Sequence, residues 1–203
     1  MINRHGGGVR LFIIMVGIPG SGKTTVHKRI FPHARIICPD DAIGYTKENP
    51  WTPHAAKEAW LNTDRAIKTL LNAETAPGLV LLDATNVDPR RRQKYIRIAR
   101  KAGVATAALY CKVSEEICRK RNDARDEFRR VPDEAMVRMA NRLKKPELDE
   151  GFSFIIKVNN EGEFDTSASV EARIDDEAHK LVDFIFKSAK NYKEKKNVED
   201  CHI

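Results

Sequence analysis

The chain has 203 residues, a formal charge of +7 and 41% hydrophobic residues, enough for one domain with a well-buried core and a C-terminal appendage. Its longest apolar run, "LFIIMV", is far too short to span a bilayer, and its four cysteines include no C-x-x-C pair, which excludes the usual zinc-finger and dithiol motifs. The basic excess suits a polyanionic partner, although a plainly basic soluble protein carries the same charge.

In chain order, residues 1–10 contain three glycines and no apolar signal core, and read as a flexible arm. "VRLFIIMVG" is a continuous apolar run ending in glycine, as a strand buried on both faces reads. A glycine-rich loop follows, then "TTVHKRIF" as a short helix and "ARIIC" as a second strand. Thr52 and Pro53 have the form of an N-cap and first-turn proline. Ala56, Trp60, Thr63, Ile67 and Leu71 then recur at helical spacing. "GLVLLDATN" is a third buried strand ending in polar residues. Asp88-Pro89 opens a helix with Tyr95, Ile98 and Ala102 on one face, stopped by Gly103.

"VATAALYC" is a fourth strand, and Ser114 with Glu115 and Glu116 starts another helix. The charged segment "RKRNDARDEFRR" leads to Pro132 and the helix "DEAMVRMANRLKK"; "FSFIIKV" is a fifth strand. Residues 159–170 are acidic and loop-like. Ile174, Ala178, Leu181 and Ile185 mark one amphipathic helix before a basic tail. The alternation predicts an α/β fold with a five-stranded parallel sheet and helices on both faces. Cys38 and Cys111 lie in apolar runs and read as small buried hydrophobes of a reducing, cytoplasmic compartment.

Residues 17–24, "GIPGSGKT", fit G-x-x-x-x-G-K-[ST], the phosphate-binding P-loop. Strand before and helix after are the context this loop requires, and they argue against a glycine turn that binds nothing. Gly17, Ile18, Pro19, Gly20, Ser21, Gly22, Lys23, Thr24 and Thr25 are therefore the candidate ATP-binding set. Backbone N–H groups from Ile18 to Thr24 can wrap the β-phosphate at a helix N-terminus. Gly20 and Gly22 allow backbone geometry that a side chain blocks. Lys23 can reach the β- and γ-phosphates, and the Thr24 hydroxyl can ligate Mg²⁺. Asp83, at the tip of the third strand, fits the second acid on the metal side, acting through water; a loop or capping aspartate is the alternative.

The motif leaves the phosphate acceptor open. "CPDDAIG" puts Asp40 and Asp41 after the second strand, at the sheet edge where ligands bind in open α/β folds. One of them can accept the proton of an attacking hydroxyl, or the pair is a solvated turn. The arginines of "RKRNDARDEFRR" suit a lid that closes over phosphates. The acids Asp123, Asp126 and Glu127 equally allow a solvated face with internal ion pairs.

"GIPGSGKT", an aspartate after the second strand, "DATN", "RN..R", "VP" and "PELDEGF" occur in that order. Together they resemble the 5′-hydroxyl polynucleotide kinases of the phage and animal DNA-repair type, over roughly residues 11–158. The P-loop is common to many kinases, and the later motifs are the more specific part. The resemblance implies a three-layer P-loop NTPase fold with a lid at about 119–131. Beyond the stretch it covers, the residue pattern itself predicts a helical appendage at 159–190 and a basic tail at 191–203. The resemblance implies Asp40 as general base on a 5′-hydroxyl, Lys23 on the phosphates and Thr24 on the metal. Arg125 would be the lid arginine, with Arg121 beside it. Asp83 would assist near the metal, and Asp41, Thr85 and Asn86 would line the acceptor side. Three departures stand out: Pro39 precedes the base where family members often carry Arg, Ile43 stands near a phage-type acceptor Arg, and "DEFRR" lengthens the lid.

ATP and Mg²⁺ are the expected cofactors and a nucleic acid 5′ end the expected substrate, with no membrane role. Any phosphatase or ligase partner is expected as a separate chain. The helix "RRRQKYIRIARK" has seven basic residues and no acid, which suits a phosphate backbone or a solvated basic face. Tyr45 and Trp51 are candidates to stack on a terminal base, or to pack under a loop. The rival readings are a P-loop kinase for a nucleoside, a small alcohol or a hydroxymethylated base in DNA, and a non-catalytic nucleotide-binding module.

Overall fold

The computed structural model describes residues 10–44, 52–73, 78–159 and 168–172. In chain order these form β1 (Leu11–Val16), α1 (Lys23–Ile30), β2 (Arg35–Ile37), α2 (Pro39–Ile43), α3 (Pro53–Asn72), β3 (Leu79–Leu82) and α4 (Pro89–Lys101). Then follow β4 (Ala105–Lys112), α5 (Glu115–Asp123), a 3-10 turn (Glu127–Arg129), α6 (Asp133–Arg142), a second 3-10 turn (Leu148–Glu150), β5 (Phe154–Asn159) and β6 (Ala168–Ala172). The N-terminal arm, Tyr45, Trp51, Cys201, the 174–185 helix and the basic tail lie outside the described residues.

The sheet order is β2-β3-β1-β4-β5-β6. The five expected strands are all parallel. β1 is central, and all six of its residues are buried. Successive side chains of a strand point to opposite faces. Leu11, Ile13 and Met15 therefore join Val26 and Phe31 on the α1 face. Phe12, Ile14 and Val16 join Ile67 and Leu71 of α3 and Tyr95, Ile96 and Ala99 of α4. Two covered faces are why the strand reads as unbroken apolar sequence.

Two expectations are corrected, and a third is refined. The segment read as loop through residue 170 contains β6, which pairs antiparallel with β5 from Ala168 to Ala172. "PDDAI", for which a solvated turn is the alternative reading, is a short helix with Pro39 at its first turn, and Asp40 and Asp41 are exposed on it. The buried face of α4 is Arg92, Tyr95, Ile96 and Ala99, rotated from the expected Tyr95, Ile98 and Ala102. Two of the three helix-start expectations hold with a side-chain cap: Thr52 Oγ1 accepts from Ala55 N at 3.1 Å, and Asp88 Oδ1 from Arg90 N at 2.8 Å; Ser114 precedes α5 without a side-chain cap bond.

Arg92 is completely buried, so every one of its donors must find an acceptor. Its Nε and Nη2 donate to the two oxygens of Glu150 at 2.8 and 2.5 Å. Nη1 donates to the carbonyls of Asn86, Val87 and Lys144 at 3.0, 3.2 and 3.0 Å. One side chain thus ties the loop after β3 to the segment between α6 and β5. The "EGF" motif gains a structural meaning here. Glu150 anchors Arg92, and Phe152 is core, 1% exposed. Gly151 turns the chain at φ +110°, where a Cβ would lie 2.7 Å from Arg100 Nη2. The basic block of α4 is also partly compensated. Lys94 pairs with Asp64, and the Arg91 guanidinium lies 3.9 Å from the Trp60 ring centre.

A third apolar cluster joins Ile18 of the glycine loop to Val87, Cys118 and Met136, with Val113, Val131 and Leu143 at its margin. It packs α5 and α6 beneath the loop. Asn122, 1% exposed, closes residues 123–130 at their base. Its Nδ2 donates to Val131 O at 2.8 Å, and its Oδ1 accepts from Val131 N at 3.0 Å. The "RN..R…VP" spacing thus encodes a clasp across residues 123–130.

Replacing Arg92 by Met strands a buried carboxylate and three carbonyls, so urea unfolding should show a loss of about 3–5 kcal/mol. Asn122→Ala should cost about 1–3 kcal/mol and speed amide exchange at Val131 more than in the sheet.

Candidate active site

The P-loop connects β1 to α1 at the carboxyl edge of the sheet. Gly17 N donates to Thr85 O at 3.0 Å, tying the loop to the turn after β3. Gly20 has φ +82°, and a Cβ there would sit 2.2 Å from the Cys118 carbonyl oxygen of α5. Only glycine permits both that conformation and that approach. Arg121, on the same helix, donates Nη1 to Gly20 O at 3.4 Å.

A cleft of about 200 Å³ opens here, lined by Gly20, Gly22, Lys23, Thr24, Thr25, Arg121 and Arg125. The loop and both expected arginines are therefore brought together, although they lie about a hundred residues apart in sequence. Lys23 Nζ donates to Gly17 O and Ile18 O at 2.9 and 3.0 Å. Burial lowers its pKa and Arg125 adds to that, while Asp83 opposes it. Ile18, Pro19 and Ser21 are buried supports of the loop.

Asp83, 7% exposed, stands at the end of β3. One carboxylate oxygen, Oδ2, accepts from Thr24 Oγ1 at 2.8 Å and from His27 Nε2 at 3.0 Å. Burial alone would raise its pKa. The hydrogen bond from His27, the charge of Lys23 and the Thr24 hydroxyl outweigh burial, so the net shift is downward and the carboxylate stays charged. His27, 5% exposed, is the residue that sequence reasoning missed. The available signal was its place three residues after Thr24, on the same side of α1.

Asp40 lies in the first turn of α2, with an exposed surface but with protein crowding its carboxyl. That desolvation is the chief reason its pKa is raised. Asp83 and Asp41 add to it, and Lys23 and Arg125 act against it. The same couplings place Asp40 in one electrostatic group with Lys23, Asp83 and Arg125. Asp41 is exposed beside it, and Pro39 is buried. Cys38 is half-buried rather than core, its thiol pushed up to about 12, chiefly by burial. Cys111 is core as expected, and burial pushes it to about 12 as well.

Thr85 is half-buried and uses its carbonyl for Gly17. Asn86 is 1% exposed. It has φ +41° and donates Nδ2 to Met15 O at 2.8 Å and Ala84 O at 3.3 Å. Its side chain thus points beneath β1, not into the phosphate cleft. A larger cavity of about 350 Å³ lies between the start of α4 and residues 144–150. Two of its acids are already engaged, Glu150 with Arg92 and Glu147 in a capping box. Lys144 and Lys145 also line it, whereas the loop's Lys23 and both expected arginines line the smaller cleft. Among the described residues no helix is long and apolar enough to cross a membrane.

The chain is similar to a bifunctional polynucleotide phosphatase/kinase of Schizosaccharomyces pombe, 24% identical over 149 residues, which are 72% of this chain and 33% of that protein. It therefore spans about a third of the length of this curated relative. Among solved structures, Kti12 of Chaetomium thermophilum, in complex with ADP-AlF3, aligns with a TM-score of 0.55 at 17% identity, covering 88% of this chain and 98% of that one. The AvrRxo1-ORF1:-ORF2 structure with ATP aligns with a TM-score of 0.62 at 13% identity, covering 88% and 64%. These two show a shared fold. A family model described as AAA domain matches residues 12–146, well over half of the chain; the protein is a member of this AAA domain family and carries a kinase-type P-loop domain.

Proposed function

We propose that the protein is an ATP-dependent polynucleotide 5′-hydroxyl kinase. The observation that carries this reading is the charge arrangement at the cleft. Lys23 and Arg125 line one cleft with Thr24 and Arg121, and the carboxylate of Asp40, after β2, is near enough to feel both charges, its pKa raised chiefly by burial. Asp40 comes from a different strand end than the loop, as an acceptor-side base requires. Similarity to a polynucleotide phosphatase/kinase supports the choice of acceptor.

In this reading the γ-phosphorus lies between the cations and Asp40. The 5′-hydroxyl oxygen bonds to phosphorus, and its proton passes to the Asp40 carboxylate. The bond to the bridging oxygen breaks, and its electron pair leaves with ADP. Lys23 and Arg125 hold the charge that spreads over the phosphate oxygens, with Arg121 beside them. The Thr24 hydroxyl and Asp83 carboxylate are hard oxygen donors held against each other, a set that fits Mg²⁺ with Asp83 acting through water. When bound, that ion would neutralise phosphate charge. His27 fixes the rotamer of Asp83. Asp41 and Thr85 flank the acceptor, and Asn86 contributes by shaping the turn that carries Thr85.

A small-alcohol kinase is the second reading, favoured by Pro39 and Ile43 where the resembling family carries arginines. Transfer of labelled γ-phosphate to a 5′-hydroxyl oligonucleotide, with free nucleosides and a hydroxymethylated duplex as competitors, separates the two. Labelled oligonucleotide supports the polynucleotide reading; labelling of a competitor alone refutes it. Asp40→Asn should lower kcat by about 100- to 10,000-fold, and Lys23→Ala should abolish transfer. A nucleotide-binding module would bind ATP unchanged with the first substitution. Asp40 must be unprotonated to accept the proton, and its pKa is raised. Activity should therefore fall as pH drops through a value above the ordinary aspartate range, and kcat/KM against pH should show that limb disappear in Asp40→Asn.

A further inference from the structure

We infer that Arg91, laid over Trp60, is the platform that takes the acceptor strand behind its 5′ end. This rests on the polynucleotide reading above and names the surface that would recognise the substrate.

Both helices start at the carboxyl edge of the sheet, where Asp40 and Asp83 stand. Thr52 caps α3 and Asp88 caps α4 at that edge, and both helices run back along one sheet face, with Ile67 and Leu71 of one and Tyr95 and Ala99 of the other in the same core. Arg91 lies in the first turn of α4. Its guanidinium is 3.9 Å from the Trp60 ring centre, while the residue is exposed and Trp60 half-buried. One turn further down, Asp64 engages both Lys94 and Tyr95. That pairing fixes α3 against α4 and sets the stacked pair at the upper end of their groove.

The seven basic residues of α4 are thereby sorted. Arg92 is buried on Glu150 and Lys94 is paired with Asp64. Arg97, Arg100 and Lys101 lie in the second half of the helix, Lys101 about 15 Å along the axis from Arg91. Arg90 and Arg91 remain at the edge that holds the chemistry. Arg91 differs from Arg90 in being held by a ring. An arginine flattened on indole is oriented before it binds, and its outward N–H groups suit a phosphate oxygen. The part of the half-buried indole that Arg91 leaves uncovered offers apolar contact to a base. A flexible strand satisfies both contacts, with a phosphate on Arg91 and an unstacked base against the ring. A free nucleoside has neither the phosphate nor the reach.

The test uses the full chain with Trp51→Phe, which keeps an aromatic ring at residue 51 and leaves Trp60 as the one tryptophan; this chain is the wild-type reference for every comparison below. A 5′-hydroxyl oligothymidylate of about eight nucleotides is titrated without ATP. Trp60 emission should change saturably. Arg91→Ala should weaken binding about five- to tenfold and reduce the slope of log affinity against log salt by about 0.7. Arg91→Lys should recover the salt slope but not the emission change. Arg97→Ala, lower on the same helix, should leave the affinity within about twofold. Equal affinities and slopes for wild type and Arg91→Ala, or equal losses for Arg91→Ala and Arg97→Ala, overturn the platform while leaving the kinase reading intact. No oligonucleotide binding by the wild type, with transfer to a small alcohol, overturns the kinase reading and the platform with it.

Discussion

The Arg92–Glu150 contact is the constraint on which the rest of the molecule leans. A guanidinium with no solvent access is tolerable only when all of its N–H groups are matched. Matching them here needs carbonyls from the turn after β3, a carbonyl from the segment after α6, and a carboxylate from the last turn before β5. Those pieces are remote in sequence and cannot satisfy the cation unless the sheet has closed in the right order. The turn so fixed bears Asp83 at one end and Thr85 in its middle. One buried charge thus sets the position of Asp83 and Thr85.

Around the cleft the electrostatics are mutually opposed. Lys23 and Arg125 raise each other's cost, Asp83 and Asp40 do the same, and the two signs meet across the loop. Asp83 resolves its part by accepting two hydrogen bonds on one oxygen, so it remains an anion. Asp40, desolvated by the protein around it and beside Asp83 and Asp41, holds its proton more readily. Two carboxylates of one constellation are thereby pushed in opposite directions by their surroundings, the usual physical basis for giving them different tasks.

Much of this was legible in the sequence. The central strands β1, β3, β4 and β5 are largely apolar runs because parallel strands covered on both faces must be apolar on both, whereas β2 at the edge is only three residues long and half-exposed. The glycine loop is a local pattern with a local mechanism, and Thr52 and Asp88 announce their helices by capping chemistry. What stayed hidden depends on distant partners. Arg92 sits among six other basic residues and differs from them only because Glu150 arrives from elsewhere. His27 is an ordinary helical residue until Asp83 is placed beside it. β6, "ASVEA", has weak strand propensity and is a strand because β5 offers an open edge. Asn86 shares a motif with Thr85, yet its positive φ turns the side chain inward.

The near-contact of Gly20 with the Cys118 carbonyl has a mechanical meaning. With no side chain between them, loop and helix behave as one rigid piece, and α5 cannot slide or roll without pushing the glycine loop out of shape. Arg121 rides on that rigid piece, whereas Arg125 lies just past the Asn122 clasp. The two guanidiniums are therefore held differently: Arg121 is bonded to the glycine loop itself, and Arg125 sits on a stretch of eight residues whose two ends are pinned together.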